Sequence, residues 1–139
     1  MSRPGMPAAP AWLAVAVGGL VGSELRYGLG LAFPDVPGGV PWATLGINVC
    51  GSFLLAALTT FWLNRPHTPF WLRAGLGPGL LGSFTTFSAV IFAVDRLAQS
   101  GAHVVWAAYL ALSLVLGLAA AGAGWQLGKV ASRTRNEQP

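Results

Sequence analysis

The sequence predicts an all-α membrane protein with four transmembrane helices, the third broken near its middle. Three observations carry this prediction. Of the 139 residues, 54% are hydrophobic and 9% charged, whereas soluble domains are about a quarter charged. Four apolar stretches, at about residues 11–32, 40–63, 70–97 and 104–127, take up most of the chain. Each exceeds the ~20 residues that a helix needs to cross a ~30 Å hydrocarbon core. Finally, the third stretch, "GLGPGLLGSFTTFSAVIFAV", gathers Gly77, Pro78, Gly79, Gly82, Ser83, Thr85, Thr86 and Ser88 near its centre. Glycine and proline weaken a helix there, and the hydroxyls offer its backbone other partners.

Residues 1–10 hold Pro4, Gly5, Pro7 and Pro10 and read as a disordered lead. The first span exceeds a usual signal-peptide core and runs into "SELRYG" without a cleavage signature, so it reads as a retained helix. "PDVPGGVP", "NRPHTP" and "AQSGAH" are short connections, which predict successive helices as antiparallel neighbours. Residues 11–128 then form one transmembrane domain, followed by a basic tail at 129–139. Cys50, the lone cysteine, is expected to pack inside the second span, with neither disulfide nor metal chemistry.

Arg3, Arg65, Arg73, Lys129, Arg133 and Arg135 fall on one side of the predicted membrane, against Arg26 and Arg96 on the other. The positive-inside rule therefore places both termini in the cytoplasm of a multi-pass protein of the cell membrane. This topology signal accounts for the basic tail better than nucleic-acid binding does.

Polar residues recur at helical spacing. Thr44, Asn48 and Ser52 lie at i, i+4 and i+8 in the second span, and Tyr109, Ser113 and Gly117 repeat that spacing in the fourth. Gly18/Gly22 and Gly124/Gly128 are small-xxx-small pairs suited to close helix contact. The stripes supply an amide, hydroxyls and a phenol, with no carboxylate, imidazole or thiolate at mid-membrane. Such a donor set suits a small anion. A break in the third span would add N–H groups from one half-helix and carbonyls from the other, as in transporters.

Some other functions are excluded. "GPGLLG" meets the G-x-G-x-x-G pattern, but nucleotide binding needs a strand before it and an acidic residue ~20 positions later. His67 and His103 lie in connections on opposite sides, and Asp35 and Asp95 lack a partner in the sequence pattern, so no enzyme is indicated.

Four of these segments carry a family resemblance. "GGLVGSELRY", "TLGINVCGSFLL", "GSFTTFS" and "YLALS" occur in this order and spacing, and together the chain resembles the Fluc, or CrcB, family of fluoride channels. The resemblance implies an antiparallel dual-topology dimer with two fluoride pathways and a central structural sodium ion. It implies Asn48, Thr44, Thr86, Ser88, Tyr109 and Ser113 as pathway donors and Phe87 as an aromatic whose edge faces fluoride. It also implies Arg26 as the arginine that draws anions in, with Gly82 and Thr85 giving backbone carbonyls to sodium.

Where the family usually carries a second aromatic, this chain has Val90, and the second glycine of a Gly-Gly pair is Ser83. Both a homodimer and a heterodimer with a homologous subunit are therefore open. The implied function is passive export of cytoplasmic fluoride. The alternatives are a small multidrug-resistance-type proton-coupled exporter, for which Glu24 is the candidate carboxylate, and a non-conducting assembly subunit of a heterodimeric channel.

Overall fold

The computed structural model describes residues 9–36, 39–65 and 67–133. Arg3 and Arg135, with most of the predicted lead and tail, lie outside the described residues. Among those described, the chain is all helix, turn and extended connection, without strands. The elements are α1 (Ala9–Ala32), α2 (Trp42–Leu63), α3 (Phe70–Ala74), a π-helical segment (Gly75–Leu81), α4 (Gly82–Phe84), α5 (Phe87–Gln99) and α6 (His103–Arg133).

Three stretches are long and apolar enough to cross a membrane: Trp42–Leu63, Phe70–Gln99 and His103–Ser132. The fourth predicted span, α1, has 24 residues and so the length to cross, but Glu24 and Arg26 lower the hydropathy of its second half. Boundaries differ from the sequence reading by one or two residues in most places and by more at the end of α6. Helix α1 takes in Ala9 and Pro10, because a first-turn proline gives up an N–H that has no helical partner anyway. Helix α6 runs beyond residue 128 to Arg133, and Lys129 near its end suits the negative end of the helix dipole.

Helix pairing is not sequential as the short connections predict. Helix α2 packs chiefly on α6, and α1 chiefly on the π-helical segment with α3 and α4, while α1 and α2 barely meet. Glycine placement explains the pairing. A Cβ on Gly18 would collide with the Gly75 carbonyl, and one on Gly22 with that of Leu80. On α6, a Cβ on Gly124 would collide with the Phe53 carbonyl, and one on Gly128 would sit 2.6 Å from that of Ala57. Without a hydrophobic force between helices in lipid, close backbone contact of this kind selects the partner.

Pro78 lies inside the π-helical segment. The wider turn accommodates a residue that has no N–H and whose ring would strike the preceding turn of an α-helix. Helical geometry then lapses at Thr85 (φ −80°, ψ 153°) and Thr86 (φ −154°, ψ 114°) before α5 begins at Phe87. A compact core of Leu45, Val90, Leu97 and Tyr109 joins α2, α5 and α6 around these residues. Cys50, expected to be packed, is exposed, because it lies off the face of α2 that meets α6. Large apolar residues such as Leu20, Phe92, Val115 and Leu118 are exposed along the helices, a surface suited to lipid or to another chain.

Candidate functional site

The site is organised by the two extended residues. Peptide groups that leave a helix at membrane depth need new partners, and Asn48 on α2 supplies them. Its Nδ2 donates to the Thr86 carbonyl at 2.9 Å, and the Thr86 N–H donates to its Oδ1 at 2.7 Å. One carboxamide thus closes both polar groups of one peptide residue. The Thr85 hydroxyl donates to the Leu81 carbonyl at 2.9 Å, and its methyl fills the space left by the missing side chain of Gly51. Thr86 caps α5, its Oγ1 accepting the Ala89 N–H at 3.2 Å and lying 3.0 Å from the Ser88 hydroxyl.

Two cavities flank Thr86. One, of about 340 Å3, is lined by Asn48, Ser52, Thr85, Thr86, Phe87, Val90 and Ser113, with apolar residues of α6. The other, of about 410 Å3, is lined by Arg26, Asp35, Thr44, Thr86 and Ser88, with Phe33 and Ile47. Thr86 borders both. Most of the side chains singled out from sequence therefore converge on this one region, although they come from α1, α2, the α4–α5 junction and α6.

Tyr109 and Gly82 line neither cavity. Tyr109 is 2% exposed, and its hydroxyl is buried without a hydrogen-bond partner among the described residues. The Ser113 hydroxyl donates back to the Tyr109 carbonyl at 2.7 Å, so its lone pairs remain for the cavity. Asn48 Nδ2 keeps a second N–H beyond the one given to Thr86. Phe87, the first residue of α5, is 62% exposed in the single chain.

The sodium implied by resemblance can be tested against the backbone. In a continuous helix the Gly82 carbonyl would accept from Thr86, but that N–H goes to Asn48. Thr85 is extended, so its carbonyl also leaves the helical ladder. Freed carbonyl oxygens are the kind of ligand that can hold an alkali cation at a helix interruption.

Ser52, Gly117 and Asp35 line these cavities although the resemblance implies no pathway role for them. Ser52 and Gly117 lie one helical step beyond Asn48 and Ser113, so i+4 spacing was their signal. Asp35 has no partner in the sequence pattern; the fold of the first connection brings it to the cavity that Arg26 lines. Glu24, required by the exporter reading, is exposed on α1 and lines neither cavity.

Comparison with known proteins adds to this geometry. The family described as "CrcB-like protein, Camphor Resistance (CrcB)" matches residues 13–125, which include every element of the site. The chain belongs to that family. Within the CrcB-like family, it is 43% identical over 115 residues to the fluoride-specific ion channel FluC 2 of Geobacillus kaustophilus, covering 82% of this chain and 89% of that one. It is 39% identical over 116 residues to the FluC of Agrobacterium fabrum, covering 83% and 93%. A third relative, FluC 3 of Streptomyces avermitilis, is 43% identical over 122 residues, 88% of this CrcB-like chain but 60% of the longer relative.

Proposed function

We propose that this chain is a subunit of a fluoride-selective channel that lets cytoplasmic fluoride leave passively across the cell membrane. The observation that carries the proposal is the meeting of two donor-lined cavities at Thr86, held open by Asn48, in a chain whose relatives are named fluoride-specific ion channels. Nothing in this scheme is catalytic; the chain works by replacing water around an ion.

Fluoride holds its hydration shell tightly, so a pore must offer donors as closely spaced as the waters it removes. Arg26 raises the anion concentration in the outer cavity. Thr44, Ser88 and Thr86 take over from water as the ion moves inward, followed by the remaining Asn48 N–H and the Phe87 ring edge. That edge is positive relative to the ring face and tolerates an anion without binding it tightly. The N-terminal end of α5 lies in the same region and contributes partial positive charge. Ser113 and the buried Tyr109 phenol serve as further donors on the α6 side, after rotation of their hydroxyls.

Two such chains, inserted in opposite orientations as a homodimer or with a homologous subunit, complete the pathway walls. The exposed apolar helix faces support such pairing. Gly82 and Thr85 of each chain would hold a sodium ion through their carbonyls, which supplies fixed positive charge near the pathway. Both termini face the cytoplasm when the arginine and lysine bias sets the orientation.

The test is fluoride efflux from liposomes carrying purified protein, followed with a fluoride-selective electrode and with chloride as the control anion. Efflux of fluoride but not chloride is expected. Fluoride release no faster than from protein-free liposomes, with and without a homologous subunit, refutes the proposal.

A further inference from the structure

Asp35 follows α1 in the first connection, exposed and outside any helix. It lines the cavity that holds Arg26, Thr44 and Thr86. It also lines a second, neighbouring cavity of about 210 Å3 that holds Arg96 and Ser100 at the end of α5. Asp35 is thus the one charged side chain shared by the two cavities and the one acidic residue that lines either. The first cavity lies where α1 finishes, α2 begins and α5 begins, and the second reaches the end of α5; the connection between α1 and α2 borders both.

We propose that Asp35 is an electrostatic brake at the mouth of the anion pathway, a reading that rests on the channel function above. With Arg26 and Arg96 each +1 and Asp35 −1, the charged residues lining this mouth sum to +1. Neutralising Asp35 raises that sum to +2 without touching a residue of the narrow region around Thr86. Asp35 shares one cavity with Arg26 and the other with Arg96, so its carboxylate lowers the field of both arginines where an ion leaves bulk water. The chain thereby holds fewer anions at its entrance than its two arginines would gather alone.

The physics sets the size of the effect. A unit charge acting through water over roughly 8 Å changes the local occupancy of a monovalent anion about two- to threefold. Screening removes most of this difference when the Debye length falls from ~30 Å at 0.01 M salt to ~3 Å at 1 M. A charge acting at the mouth therefore shows up at low fluoride and low ionic strength and fades in high salt. A side chain that merely shapes the loop gives no such salt dependence.

The experiment measures initial fluoride flux in liposomes for the wild type, Asp35→Asn and Asp35→Glu, at subsaturating fluoride. The ionic strength is varied with an impermeant salt. We expect Asp35→Asn to conduct about two- to threefold faster than wild type at low ionic strength and to converge on it at high ionic strength. Asp35→Glu keeps the charge and should follow the wild type throughout. Equal flux for Asp35→Asn and wild type at low salt overturns the inference while leaving the channel reading intact. So does a difference that persists unchanged in high salt. A wild type without fluoride flux overturns the channel reading first, and this inference with it.

Discussion

Replacing Asn48 with alanine removes both hydrogen bonds that hold the Thr86 peptide, at 2.9 and 2.7 Å. Interhelical hydrogen bonds in membrane proteins average ~0.6 kcal/mol and reach ~1.7 kcal/mol. Two of them, with no other partner for Thr86 in a dry setting, give a loss of about 1–3 kcal/mol. Asn48→Asp is more informative. Its carboxylate still accepts the Thr86 N–H but cannot donate to the Thr86 carbonyl, and it adds negative charge where a fluoride would pass. The substitution is expected to leave more of the fold intact than alanine does, yet to lower fluoride flux at least as severely. Denaturant or thermal unfolding of the purified protein reads the first effect, and the liposome flux assay the second. If Asn48→Ala unfolds at the wild-type midpoint and conducts at the wild-type rate, the assignment of Asn48 as both clamp and donor is wrong.

Three further outcomes are expected. Phe87→Ala should lower fluoride flux tenfold or more with little change in unfolding, since Phe87 is largely exposed in the single chain; unchanged flux would remove it from the pathway. Gly51→Ala should damage flux because its Cβ would collide with the Thr85 methyl, and Thr85→Ser, which lacks that methyl, should rescue it in the double variant; the same flux assay on both variants decides this. Gly22→Val should greatly reduce the yield of folded protein because a side chain there meets the Leu80 carbonyl, whereas Gly28→Ala, with nothing within 4 Å, should not; size-exclusion profiles in detergent compare them.

Much of the site could be read before folding because its residues obey helical spacing. Thr44, Asn48 and Ser52 form a stripe on α2, and lipid gives no reason for an amide and two hydroxyls on one face. Gly18/Gly22 and Gly124/Gly128 were likewise legible as close contacts, since only residues without a Cβ allow a carbonyl so near. Helix pairing was not legible. Loop length predicts sequential neighbours, but those same glycines draw α1 to the π-helical segment and α6 to α2.

Cys50 and Asp35 show why local pattern runs out. Cys50 lies off the Thr44–Asn48–Ser52 stripe, where apolar neighbours do not tell a packed position from an outward one, so it reads as packed although it is exposed. Asp35 sits in an irregular connection where spacing carries no direction, and only the path of the chain from α1 to α2 brings it to the cavity that Arg26 lines.

The amino-acid order by itself determined membrane residence, an all-helical chain of which three stretches are long and apolar enough to cross, and a third segment rich in glycine, proline and hydroxyls. These follow from composition and period, which act over a few turns of chain. Tertiary structure decided that one asparagine side chain satisfies both polar groups of Thr86, that Thr86 borders two cavities, and that Asp35 lines one cavity with Arg26 and another with Arg96. The reason is range: the Asn48–Thr86 bonds join residues 38 positions apart, and no local periodicity encodes which distant peptide a side chain will meet.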